Sequence, residues 1–209
     1  MKFSTKLAAT AVPGLLALPL LAAPAVADGH EAELMATLGE LNDSGGSGTA
    51  WAKVDGTSVW LSIEVQGLLD GAPHAQHIHY GEQARNECPT VGKDDSNGDF
   101  RLTTVEGVPA YGPVAVSLTK RGDTSPDSVL AVDRYPTAPR GHVHYERTTR
   151  TTKQVARAIR RGDAVVVIHG VDYNGNGEYD FESAGASELD SNLPAEATDP
   201  AVCGVLRMN

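Results

Sequence analysis

Two cysteines, Cys88 and Cys203, are all that the 209 residues contain, and no C-x-x-C brings them together. That argues against a reactive dithiol pair. Past residue 27 there is no apolar run long enough to span a bilayer. A G-x-S-x-G elbow is missing, so no nucleophile motif supports a hydrolase, and there is no phosphate-binding glycine loop. Neither an internal repeat nor a low-complexity tract marks a second domain. Positive charge is also short: Lys and Arg number 17 against 27 Asp and Glu, a net charge of −10. Such a chain has no general attraction to nucleic acid or anionic membranes. Cations are its natural small partners.

The N-terminus reads as an export signal. Lys2 and Lys6 precede a mostly apolar stretch, and Ala25-Val26-Ala27 forms an A-x-A cleavage site. Removal of residues 1–27 leaves one domain, residues 28–209, with a charge of −12. The expected destination is extracellular, with no membrane span after cleavage. In an oxidising compartment an even pair of cysteines suggests one disulfide.

The rest reads mainly as short strands between turns. Residues 34–41 form a first strand. Residues 49–54 and 57–65 flank Asp55-Gly56, a two-residue hairpin signal. Val59, Leu61, Ile63 and Val65 share one face of the second of these, with Trp60, Ser62 and Glu64 on the other. Further strands are expected at 75–80, 114–118, 142–147, 164–169 and 201–206. Residues 81–112, 121–140 and 172–200 read as long polar loops, which are usually functional or ordered by a ligand. One helix is expected at 152–161, capped by Thr151 or Thr152, striped by Val155, Ala156 and Ile159, and stopped at Gly162. Many strands with one short helix predict an antiparallel β-sandwich or Greek-key barrel with long loops.

Histidine is what the chain has in an informative pattern. Six of the seven lie between positions 74 and 169. His77 and His79 form one H-x-H, His142 and His144 a second, and His169 ends the apolar run A-V-V-V-I-H. Alternation along a strand projects both imidazoles of an H-x-H from one face. Imidazole is the common nitrogen ligand for copper and zinc. The five therefore predict a metal site, with copper the first expectation and zinc the second. No catalytic side chain is singled out.

The segment His77-Ile78-His79, eight further residues and Cys88, together with the terminal Cys203-Gly204-Val205, resembles copper/zinc superoxide dismutases. That resemblance implies His77, His79 and His169 as copper ligands, completed by His142 or His144, and superoxide as the reactant. It also implies the pairing of Cys88 with Cys203. A zinc subsite is not implied, because residues 80–141 contain no histidine. The arginine that this family carries shortly before its last cysteine is missing too; Arg207 follows Cys203 instead. A wider likeness runs through A-T-L-G-E-L-N-D-S-G-G-S-G-T-A, G-L-L-D-G-A-P-H-A-Q-H-I-H-Y-G and the helix ending in R-G-D. It is similar to the CHRD domain of secreted actinobacterial proteins and implies a superoxide dismutase-like β-sandwich rather than an activity.

Two acidic loops carry a calcium-like pattern. Asp172, Asn174, Asn176 and Asp180 alternate oxygen side chains around Gly177, as in the first half of an EF-hand-like loop, although position twelve is Ser183. Asp95, Asn97, Asp99 and Glu106 repeat the spacing with Phe100 where glycine is expected. The same Asn-Gly and Asp-Gly steps are also ordinary turn formers. Calcium-ordered loops on a non-catalytic extracellular module are the alternative to copper chemistry. Asn42-Asp43-Ser44 is a glycosylation sequon.

Overall fold

The computed structural model describes residues 1–2 and 31–209. Apart from Met1 and Lys2, the expected export signal lies outside the described residues.

Among the described residues nine strands form one antiparallel sheet: β1 Ala32–Glu40, β2 Ser47–Asp55, β3 Ser58–Gln66, β4 Gln76–His79, β5 Val114–Ser117, β6 Val143–Arg150, β7 Val165–His169, β8 Pro200–Val205 and β9 Arg207–Met208. Their order is β5-β4-β7-β8-β1-β2-β3-β6, with β9 beside β1. The three crossovers, β3 to β4, β5 to β6 from one end of the sheet to the other, and β6 to β7, make this a Greek-key half-barrel. The sheet curls until its end strands approach each other. Arg147 Nη1 donates to the Thr119 carbonyl at 2.6 Å, just past β5, and Thr124 and Thr149 join hydroxyls at 2.6 Å.

The alternation expected in the sequence is what curls it. On β3, Val59, Leu61, Ile63 and Val65 are buried, while Glu64 is exposed. They meet Leu34, Ala36 and Leu38 of β1 and Ile78, Val166, Ile168 and Val202 of the other half in one core. Full burial of each branched side chain contributes about 1.5–3 kcal/mol. The hairpin turn falls on Gly56 and Thr57 rather than Asp55-Gly56, since Asp55 pairs with Ser58 and only Gly56 takes the positive φ of 56°. Gly204 lies where a Cβ would meet the Thr37 carbonyl at 2.4 Å, so β8 docks against β1 only without a side chain there.

The helices depart most from expectation. α3, Lys153–Arg161, is the expected one: Thr152 accepts from Val155 N, and Gly162 ends it at φ 79°. The loop expected at 81–112 contains a single turn, α1, Val91–Asp94, and a two-turn helix, α2, Thr104–Tyr111. Gly107 and Pro109 hide α2 from a propensity reading. A capping box starts it, with Thr103 and Glu106 satisfying each other's backbone N–H groups. Burial of Ala110 and Tyr111 then holds it. α4, Ala195–Thr198, is one turn in the last long loop.

Cys88 and Cys203 are bonded, with Cα atoms 5.8 Å apart across 115 residues of sequence. The bond ties the loop before α1 to β8. Closing so long a loop in the unfolded chain contributes about 4–5 kcal/mol in the chain-entropy account. The Cys88→Ser/Cys203→Ser protein is therefore expected to lose stability of that order. Urea midpoints for the two proteins check it, and equal midpoints would show that the bond adds nothing.

Candidate metal centre

The site lies on the outer face of β4, β7 and β8, opposite the main core. His77 and His79 point out of β4 on the same side, one pleat apart. β7 runs antiparallel beside it, pairing Val167 with His77 and Val165 with His79. His169 follows Val167 by two residues, so the alternation brings it to the same side. A register shift between Ile168 and His169 marks the end of the ladder. Elsewhere such a face would be wet. Here α2, the segment 126–135 and the loop before β8 cover it, and the three rings are only 1–3% exposed.

Their ring centroids are 5.1–6.1 Å apart. One ring nitrogen from each lies within 4.8 Å of those of the other two. The remaining nitrogen of each is committed. His79 Nδ1–H donates to the Gly112 carbonyl at 2.8 Å, and His169 Nδ1–H to the Thr198 carbonyl at 2.6 Å. His77 Nε2–H donates to Tyr135 Oη at 2.8 Å, with the Val129 carbonyl at 3.3 Å. Because carbonyls only accept, the protons are assigned to those nitrogens. The lone pairs are left on His77 Nδ1, His79 Nε2 and His169 Nε2. These three atoms are buried without a hydrogen-bond partner. An unmet buried polar atom typically costs about 1–3 kcal/mol. Three of them converging is what a cation would satisfy.

Burial keeps the imidazoles neutral. His79 is held down at about 3 and His169 at about 4, and His77 lies well below the ordinary histidine value. Desolvation is the main cause in each, and repulsion by His169 adds to it for His77 and His79. Metal binding requires the neutral form. A cavity of about 30 Å³ opens in front of the cluster, bounded by Leu130, Leu189, Val114 and Thr104 among others. That is somewhat more than the roughly 10–15 Å³ of such space that one water needs, so an ion or a very small ligand fits.

Tyr135 is the residue that sequence reading missed. It is buried, with its hydroxyl pushed up to about 12 by desolvation. It donates to the Ser128 carbonyl at 2.9 Å, so toward His77 it accepts. No motif announces it; only the fold brings residue 135 to residue 77. Tyr135→Phe leaves His77 Nε2 the longer Val129 contact alone. Copper affinity is expected to fall about 10–100-fold, as for other groups that orient a ligand. Competition titration measures it, and unchanged affinity would sink this orienting role.

His142 and His144 do not join the cluster. His144 lies on the outer face of β6, opposite Glu64, with 65% of its side chain exposed and its ring bonded to that carboxylate. His142 is exposed just before the strand. The alternation is the same as on β4, but nothing covers the sheet at this end. The expectation that one of them completes the site is corrected.

The acidic loops are knitted by their own hydrogen bonds. Asp172 accepts from Gly175, Asn176 and Gly177 N–H groups, and Asn174 and Asn176 both donate to Asp180. The buried Glu196 ties this loop down by accepting from Tyr173 and Asp180 N–H groups. In the other loop Asp95 accepts from Gly98 and Phe100, and Asn97 from Asp99. Asp99 lies beside Arg101 at 3.7 Å. Glu106 is spent on Ser96 and on the α2 cap. Asn42 is also structural: its amide bonds Leu102 and Pro200 carbonyls, which commits the sequon side chain to the fold.

A Greek-key half-barrel with a buried three-histidine cluster on its outer face defines a β-domain with a candidate metal centre. The model of the CHRD domain matches residues 32–178, and the chain belongs to the CHRD-domain family. Curated protein sequences return no match. A solved structure titled "Candida albicans Superoxide Dismutase 5 (SOD5), Cu(II)" is similar at 14% identity and a TM-score of 0.41, covering 86% of this chain and 94% of that one. The likeness is remote.

Proposed function

We propose that the protein is an exported copper-binding domain, with His77, His79 and His169 as the ligands. One observation carries this reading: the three orphaned nitrogens converge while every opposite ring nitrogen is engaged. Copper is favoured over zinc because an all-imidazole set ranks Cu(II) above Zn(II) in affinity. When bound, copper supplies one-electron redox capacity. The chain's own residues hold the rings neutral, fix which nitrogen faces the cavity and keep bulk water out. Export is supported by the leader-like N-terminus and the disulfide. No helix among the described residues is long and apolar enough to cross a membrane.

Superoxide turnover is the finer reading. Among the described residues, those around the small cavity include no Lys or Arg. The nearby Arg101 is committed to Asp199 at 2.7 Å. With a net charge of −10 in the full chain and −12 once residues 1–27 are removed, the field opposes an incoming anion. A binding domain is therefore favoured over a fast dismutase. Copper titration is expected to saturate at one equivalent, with nitrogen hyperfine structure in the EPR spectrum. Superoxide consumption by the loaded protein is expected to stay far below the diffusion limit. No copper retention after dialysis would sink the site, and near-diffusional consumption would make it an enzyme.

A further inference from the structure

Beside the histidine pocket lies a second, larger cavity of about 210 Å³. The two share Ala75, Val129, Leu130 and Thr198 as a common wall. Two of the three long loops build it. Val132 comes from one, and Leu193 and Ala197 from the other. All three are half-buried, so the cavity communicates with solvent. Among the described residues, not one charged side chain lines it. Its polar side chains are hydroxyls, those of Tyr179 and Thr198.

We propose that this cavity binds a neutral, single-ring aromatic molecule next to the histidine cluster. Size supports a ring. An engineered apolar cavity of about 150 Å³ is enough for benzene, and this one is larger. The lining sets the charge: an ionised ligand would lose its hydration and find no counter-ion. Both hydroxyls are already engaged, Tyr179 with His74 and Thr198 with Ser187, so the walls offer a ligand shape and neutrality rather than an open polar partner. The 30 Å³ histidine pocket is too small for a ring, so a ligand here sits beside the metal site rather than in it. The position next to copper rests on the proposed function; the cavity does not.

Phenol is the probe, with benzoate as the charged control. Metal-free protein is expected to bind phenol saturably with Kd on the order of 1 mM, and benzoate at least about tenfold more weakly. Amide shifts in ¹H–¹⁵N spectra should cluster at Ala75, Leu130, Leu193 and Ala197. Ala197→Phe fills the cavity and should weaken phenol at least about tenfold. Should that variant not fold, Val132→Phe and the wild-type shift map serve instead. Phenol that does not saturate, benzoate binding equally well, or shifts elsewhere on the barrel would overturn the proposal. Copper-loaded protein supplies a separate check. A phenol-dependent change in its EPR spectrum places the ligand beside the metal. Phenol binding in a protein that retains no copper removes only the metal reading.

Discussion

Replacing His77 and His79 together by alanine is expected to reduce copper affinity by about a thousandfold or more, because two of three nitrogen donors disappear. His142→Ala/His144→Ala is expected to leave affinity within about twofold, since those rings stand on an uncovered face. The contrast tests the placement rather than the mere presence of histidine. Both variants remove an H-x-H, one from β4 and one at the start of β6, and both keep the disulfide. Only the first empties the cluster. Isothermal titration against a competing chelator measures the two affinities. Equal losses, or none in either protein, would remove the three-histidine centre.

The second large effect is acid sensitivity of the metal-free protein. In the unfolded chain each histidine takes up a proton near pH 6.5. In the folded chain His169 stays neutral to about 4 and His79 to about 3. The unfolded state therefore binds more protons across that window, and stability falls as pH falls. Each group contributes about 1.4 kcal/mol per pH unit. His77 acts in the same direction. Asp199 opposes them: burial raises its carboxyl to about 6, so between there and the ordinary carboxylate value the folded state gains protons. Two histidines against one carboxyl leave a net loss of about 1.4 kcal/mol per unit between pH 6 and 5, before His77 is added. Urea midpoints at pH 7, 6 and 5 measure it. A flat profile would mean the rings are hydrated or protonated in the native state. A bound metal ion competes with those protons, so the loaded protein should hold its midpoint to lower pH.

These two effects have a common origin. Burying three lone pairs without partners lowers the stability of the metal-free fold and prepares it for a cation. The main core and the disulfide offset that cost.

How much was legible beforehand differs between elements. β3 was readable residue by residue, because half-buried strands write their environment into every second position. α3 was readable from Thr152 and Gly162. The pairing of Cys88 with Cys203 followed from a count of two. α2 was not readable: its stability comes from Tyr111 and Ala110 meeting other parts of the chain, and its interior Gly107 and Pro109 argue against a helix. Glu106 looked like a calcium ligand because spacing alone cannot tell a loop oxygen from a helix cap.

By itself the sequence determined the antiparallel class, the strand faces, the disulfide and the five candidate histidines. Those features are local, set by period-two alternation and residue chemistry. The tertiary structure alone decided that His169 joins His77 and His79 while His142 and His144 stay in water. It also brought Tyr135 under His77 and set a second cavity against the first. Alternation assigns a side chain to a face of the sheet; whether that face is covered depends on segments folding back from 29 to 52 residues away, and no local pattern encodes that.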